Sequence, residues 1–238
     1  KVKAKNWYLV AQDGKELGYV FGNLLADAES IVVEEAPVVV EALPEEGPAQ
    51  TAVPTVELGK RFALVIGNGS YPDAPLTNPP NDAQLMGRTL SRLGFAVSLL
   101  NNLNQAEMKR AIVDFGIRLE DSGSNSVGLF YFAGHGVQLR GKNYLIPVDA
   151  EIRRQADVDI FAVDASSVLD QMFFARNPMN IVILDACRNN PYTRDFRDAT
   201  RGLARMEAPR GTIVAYSTKP GDTASDGIGR YSPYTKAL

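Results

Sequence analysis

The sequence predicts an α/β protein, a mainly parallel sheet flanked by helices on both faces and preceded by a small β segment. Three observations carry that reading. From Arg61 onward, apolar runs of strand length alternate with segments whose apolar residues recur at helical spacing, and that alternation marks strand–helix units packed into one sheet. The runs are continuously apolar, as strands covered on both faces must be. Ahead of Arg61, an acidic, proline-punctuated stretch separates this region from a short β-like opening. The resulting division is a β segment at 1–25, a linker at 26–60 and an α/β domain at 61–238.

The opening, "NWYLVAQDGKELGYVFGNLL", reads as short strands of aromatic and β-branched residues around a turn at Asp13-Gly14, then a strand through Gly18-Tyr19-Val20. Its aromatic pair Trp7-Tyr8, polar turn, Gly18-Tyr19-Val20 and closing Leu24-Leu25 resemble the C-terminal half of a bacterial SH3-like barrel. That resemblance implies that the natural chain begins upstream of Lys1. The next stretch, "EEAPVVVEALPEEGPAQTAVPTVE", mixes proline with glutamate and supports neither a packed helix nor a central strand. It reads as a linker.

"RFALVIG" is the first strand of the α/β domain, and "NPPNDAQLMGRTLSRL" follows as a helix that Pro79 and Pro80 open, with Ala83, Met86, Leu90 and Leu93 on its apolar face. "FAVSLLNN" is the second strand. Asn104 is placed to cap "NQAEMKRAIVDFGIRLED", whose Met108, Ile112, Phe115 and Leu119 form one stripe. "SVGLFYFAGHG" is the third strand, and "VQLRGKNYLIPVD" a hairpin on the sheet's carboxyl edge, turning at Arg140-Gly141-Lys142. Asp164 is the expected cap of "ASSVLDQMFFAR", which leads into "NIVILDAC" as the fourth strand. "GTIVAYST" is the fifth. "SPYTKAL" opens a last helix, with Ser232 as cap and Pro233 at its first position. Because the chain stops at Leu238 inside that helix, a truncated C-terminus is expected.

The whole sequence of 238 residues carries a formal charge of −3, which offers no basic surface for a phosphate backbone, so nucleic acid is not expected as a partner. No apolar run approaches the roughly 20 residues that span a bilayer, and "KVKAKNWYLV" is not a signal peptide. There is one cysteine and one histidine. An internal disulfide is thereby excluded, and a structural zinc site would have to draw on several carboxylates. "GNGS" lacks the remaining features of a dinucleotide fingerprint, and a Gly-Lys-Ser/Thr phosphate loop is missing.

The single histidine and single cysteine fall at the carboxyl ends of the third and fourth strands, in "FAGHGVQ" and "LDACRNN". Functional sites of parallel sheets gather on that rim. Chain order makes the two strands neighbours, so His135 and Cys187 are expected to face each other across a groove. A thiol attacks as thiolate, and a nearby imidazole takes its proton and later protonates the leaving amine. Gly134 and Gly136 flank the histidine, where glycine lets backbone approach a substrate and offer an N–H to a developing oxyanion; the Cys187 amide is the second candidate donor. Taken singly, a strand-end cysteine is usually an inert core residue, and a lone histidine a satisfied one. Their joint placement favours a catalytic dyad.

"YFAGHGV" and "ILDACRNN", spaced by about 50 residues, resemble the histidine and cysteine motifs of the caspase-like cysteine peptidases. "FALVIGNGSY", "NPPNDAQLMGRTLSRLGF", "NYLIPVDA" and "AYSTKPGDTASDG" follow the order of that family from Arg61 to Leu238. The likeness is greater to the bacterial orthocaspase or metacaspase branch than to animal caspases, whose cysteine motif is Gln-Ala-Cys-Arg-Gly. The resemblance implies a caspase-like three-layer fold, with His135 as general acid/base, Cys187 as nucleophile, and Gly136 with the Cys187 amide as oxyanion hole. It also implies an acidic pocket for the substrate side chain that precedes the cleaved bond, since metacaspase-like enzymes place aspartates there and cut after Arg or Lys. Asp82 of "PNDAQ" and Asp185 of "LDAC" match its two acidic positions, and Asp226 of "ASDG" adds to it. The plainer reading of Asp82 is a first-turn acid complementing the helix macrodipole. Where many metacaspases have serine two residues before the histidine, this chain has Ala133.

Arg188, Arg194, Arg197, Arg201, Arg205 and Arg210 enrich the segment that in caspases joins the two catalytic parts, which suggests self-processing by an enzyme that cuts after arginine. No metal or organic cofactor is expected. Calcium is the lesser alternative, because the acids of "VDAEIRRQADVDIFAVD" do not follow an EF-hand spacing. The expected function is a cysteine endopeptidase acting on protein or peptide substrates with Arg or Lys before the cut. The rival is a catalytically silent caspase-like module that binds through its SH3-like region. SH3-like modules favour a periplasmic or secreted setting, and the oligomeric state is not legible.

Overall fold

The structure, a computed structural model, describes the backbone of residues 7–12 and 15–21, and residues 59–186, 202–218, 224, 227 and 229–238. The chain forms two units, Lys1–Val53 and Pro54–Leu238. In the first, strands β1 (Trp7–Gln12) and β2 (Lys15–Phe21) pair antiparallel with Trp7 opposite Phe21, and the register shifts between Val10 and Ala11. The turn residues Asp13 and Gly14, Leu24-Leu25 and all of the expected linker but Gly59 and Lys60 lie outside the described residues.

The second unit follows the alternation of the sequence. In chain order it contains β3 (Arg61–Gly67), α1 (Pro79–Arg92), β4 (Phe95–Asn101), α2 (Gln105–Asp121), β5 (Val127–Gly134), β6 (Gly136–Leu139) and β7 (Lys142–Leu145). It continues with α3 (Val158–Phe161), β8 (Val163–Asp164), α4 (Ser166–Phe174), β9 (Met179–Ala186), β10 (Thr212–Tyr216) and α5 (Pro233–Ala237). The main sheet has the order β10-β9-β5-β3-β4, and its pairs are all parallel. β5 lies at its centre and is buried along its length.

Strand residues alternate between the two faces. Phe130 and Phe132 of β5 pack with Met108, Ile112, Phe115 and Leu119 of α2 and with Val168, Leu169 and Met172 of α4. Leu129, Tyr131 and Ala133 turn the other way and pack with Ala83, Met86 and Leu90 of α1. Helices therefore cover both faces, as the unbroken apolar strands require.

Asn104 caps α2 reciprocally: its Oδ1 accepts the Glu107 N–H at 2.9 Å and its own N–H donates to Glu107 Oε2 at 2.9 Å, a box that stabilises a helix start by about 1 kcal/mol. Leu93 departs from expectation, being 56% exposed. α1 ends at Arg92, and Gly94, at φ +82°, turns the chain toward β4, so the periodicity runs past the helix it describes. Ala165, rather than Asp164, holds the N-cap position of α4, but the Asp164 carboxylate still accepts the Ser166 N–H at 2.9 Å.

The hairpin at Arg140-Gly141 is present, with both residues in the left-handed region at φ +50° and +78°. It stands at the carboxyl end of the main sheet but pairs outside it. β6 and β7 pair antiparallel and recruit β8 into a separate three-stranded sheet. Val137, Leu139, Tyr144 and Ile146 from this hairpin enclose a third apolar cluster with Tyr71, Ile152, Val158 and Ala162, so the second sheet has an apolar face of its own to bury. Its first residue follows His135 directly, so the second sheet springs from the carboxyl rim of the first.

Candidate active site

The rim is set by register. β5 runs parallel beside β9 with Ala133 opposite Asp185 and Gly134 opposite Ala186. The next residues in the chain are His135 and Cys187. The side chain of Cys187 lies outside the described residues, as do those of Asp226 and of Arg188, Arg194, Arg197 and Arg201. Arg205 and Arg210 are exposed.

His135 is 3% exposed and held on several sides. Its backbone N–H donates to the Tyr71 hydroxyl at 3.0 Å, and its carbonyl accepts from Ile146 N at 3.0 Å. The Tyr71 ring lies against the imidazole, centroids 4.4 Å apart. Nε2 lies 2.8 Å from the Ala74 carbonyl. A carbonyl only accepts, so Nε2 carries the proton, and Nδ1 is the nitrogen through which the neutral ring takes one up. Tyr71 is anchored in turn, its hydroxyl donating to the Ile146 carbonyl at 3.0 Å.

Two glycines make this closeness feasible. A Cβ on Gly134 would sit 2.6 Å from the Tyr71 hydroxyl and 2.9 Å from Phe132 Cζ. A Cβ on Gly136 would meet the Ala186 Cβ at 3.0 Å, so the start of β6 abuts the residue before Cys187. Asn68, wholly buried, ties the rim together: its N–H donates to the Ala133 carbonyl at 2.9 Å, and its Oδ1 accepts from Leu103 N at 3.0 Å.

The two expected pocket acids also come together. Asp82, in the first turn of α1, and Asp185, near the end of β9, are both 0% exposed. Both reach Ser232. The Ser232 N–H donates to Asp82 Oδ1 at 2.8 Å, and its hydroxyl to Asp185 Oδ2 at 2.5 Å. The Thr235 hydroxyl donates to the same Asp185 oxygen at 3.0 Å. Asp82 is thus turned inward on another segment, unlike an acid that merely complements a helix end at the surface. Burial first, and then the Asp185 carboxylate, push the neighbouring Tyr234 phenol up to about 12.

The acids between Asp149 and Asp164 are engaged locally. Asp149 accepts from Gln105 N, Asp157 from the N–H groups of Arg153 and Arg154, Asp159 from the Tyr144 hydroxyl, and Asp164 from Ser166. Among the described residues no group of three or more His, Cys, Asp or Glu gathers to hold a metal, and no helix is long and apolar enough to cross a membrane.

Sequence reasoning missed Tyr71, the Ala74 carbonyl, Thr235 and the second role of Ser232. Tyr71 was visible in "GNGSY" and Ser232 as a helix cap, but neither position carries a local sign of its distant partner.

The profile of the caspase domain family matches residues 60–238. Mucosa-associated lymphoid tissue lymphoma translocation protein 1 of Homo sapiens is 28% identical over 165 residues, which cover 69% of this chain and 19% of that protein. Its homolog in Mus musculus is 30% identical over 165 residues, with the same coverage of 69% and 19%. The chain thus spans 19% of the length of these curated relatives. Among solved structures, a Geobacter sulfurreducens protein is similar with a TM-score of 0.54 at 14% identity, over 74% of this chain and 79% of that one, a likeness of fold.

Proposed function

This chain belongs to the caspase domain family of peptidases, and from that premise we propose that it is a cysteine endopeptidase cutting after Arg and, less readily, Lys, with His135 and Cys187 as its dyad. The observation that carries the reading is the register of β5 on β9. Gly134 stands opposite Ala186, so the only histidine and the only cysteine follow at adjacent strand ends, on the rim where parallel sheets place their sites.

In this reading His135 Nδ1 takes the proton of Cys187, and the thiolate attacks the substrate carbonyl. The Gly136 and Cys187 N–H groups receive the oxyanion, a contribution of several kcal/mol when such donors are fixed in advance. Collapse of the tetrahedral intermediate breaks the C–N bond, and the imidazolium returns its proton to the leaving amine. Water, deprotonated by His135, then cleaves the acyl-enzyme. The Nε2 bond to the Ala74 carbonyl supports this cycle, because it keeps one tautomer and stabilises the imidazolium.

Asp82 and Asp185, with Asp226, form the proposed acidic pocket. Buried carboxylates favour a guanidinium, which matches them in charge and bidentate geometry, over a compact ammonium. The arginines between Arg188 and Arg210 then offer cleavage sites within the chain itself.

Fluorogenic peptides ending in Arg, Lys or Asp test the reading on wild type and Cys187→Ala. Turnover is expected for Arg above Lys, with none for Asp, and Cys187→Ala should lower kcat roughly 10³-fold or more. Only wild type should release fragments cut within residues 188–210. Turnover of the Asp peptide alone would overturn the pocket assignment. Inert peptides together with a Cys187 that does not react with an Arg-based electrophile would favour the silent binding module.

A further inference from the structure

We propose that Ser232 and Thr235 are specificity-determining positioning residues, which set the two carboxylates of the acidic pocket so that they accept a cationic side chain; the inference rests on the pocket reading given above. Its basis is the way protons are directed where α5 begins. Ser232 is 0% and Thr235 3% exposed. Ser232 gives its N–H to Asp82 Oδ1 at 2.8 Å and its hydroxyl proton to Asp185 Oδ2 at 2.5 Å. Its oxygen meanwhile accepts the Thr235 N–H at 3.0 Å. Thr235 spends its own hydroxyl proton on Asp185 Oδ2 at 3.0 Å, so the short contact of 2.6 Å between Thr235 Oγ1 and the buried Tyr131 hydroxyl has Tyr131 as donor. Two relays, one from the Thr235 amide through Ser232 and one from Tyr131 through Thr235, converge on one carboxylate oxygen.

A helix cap explains only part of this. Capping requires that the Ser232 oxygen accept an N–H from the helix. The bonds that Ser232 donates to carboxylates 150 and 47 residues away in sequence serve another purpose. Two carboxylates facing one segment repel each other, and a single residue that donates to both lets them stand together. These donors are a backbone N–H and two hydroxyls. They orient the carboxylates without themselves bringing a positive charge to them. A basic residue of this chain in the same place would hold the carboxylates equally well and remove their attraction for substrate.

Ser232→Ala, Thr235→Val and the conservative Ser232→Thr, made in the full chain, test the proposal. KM for a peptidyl-Arg substrate should rise about tenfold in the first two while kcat stays within about twofold, and the Arg-over-Lys preference should shrink. Alkylation of Cys187 by iodoacetamide, which needs no pocket, should proceed at the wild-type rate. Ser232→Thr keeps both hydroxyl and cap and should match wild type. The proposal is overturned if folded Ser232→Ala and Thr235→Val keep the wild-type KM and preference. It is equally overturned if kcat and KM worsen alike for Arg and Lys in step with a lower Tm, or if both variants are insoluble while Ser232→Thr folds, since the role would then be structural. A wild-type chain that hydrolyses only the Asp peptide overturns the pocket reading, and one that is inert to all three peptides and whose Cys187 ignores an Arg-based electrophile overturns the peptidase reading, results visible before any variant is compared.

Discussion

At the scale of single residues, the imidazole is governed by a side chain far from it in sequence. Tyr71 receives the His135 N–H and donates to the Ile146 carbonyl, each at 3.0 Å. Tyr71→Phe keeps the ring against His135 and removes the hydroxyl, leaving a buried N–H without that acceptor. We expect a stability loss of about 1–3 kcal/mol, measured by urea unfolding. Under the proposed dyad, a fall in kcat that exceeds the rise in KM should accompany it, because His135 is loosened. The Ile146 carbonyl is cushioned by a second donor, Asn68 Nδ2 at 3.3 Å, so the cost should come chiefly from the His135 side. The histidine and its flanking glycines were legible because they lie together in "FAGHGV". Tyr71, 64 residues away, was not, since only the closure of β3 and its following loop over β5 brings it there.

At the scale of elements, α5 shows how a short helix bonds to residues distant in sequence. Its cap was plain in "SPYT", with Ser232 before Pro233, and the structure has the Ser232 hydroxyl accepting the Thr235 N–H. The same turn places Tyr234 among apolar neighbours on the α1 side of the sheet. Burial, followed by the Asp185 charge, raises its phenol from 10.0 to about 12. A raised folded-state pKa means that the stabilisation from neutral Tyr234 is whole below pH 10 and disappears as the pH climbs through 12. An alkaline titration followed by phenolate absorbance and circular dichroism should show α5 detaching in that window. Tyr234→Phe should delay the loss to higher pH, and a Tyr234 that titrates near 10 with no structural change would contradict this account.

At the scale of the whole molecule, Pro54–Leu238 is a unit with its own internal contacts. Its described residues form three apolar clusters, one on each face of the main sheet and one beneath the β6-β7-β8 sheet. A chain lacking residues 1–53 should therefore keep a single cooperative thermal transition, and the proposed preference for Arg over Lys peptides should be the same with and without them. Loss of the transition on deletion would show that the second unit depends on the first for folding.

The sequence by itself determined the alternation of strands and helices, the parallel sheet, and the placement of the histidine and cysteine motifs at neighbouring strand ends. All of these follow from local periodicity and chain order, which short windows of residues encode. Asp82 and Asp185 were visible as acids within "PNDAQ" and "LDAC", but nothing local joined them. Tertiary structure decided that both turn inward to Ser232, that Thr235, itself bonded to Tyr131, donates to Asp185, and that Ala74 and Tyr71 hold His135. It also decided that the β6-β7 hairpin builds its own sheet. Contacts of that kind depend on strand order and register across the whole sheet, where a slip of one residue would turn every side chain to the opposite face.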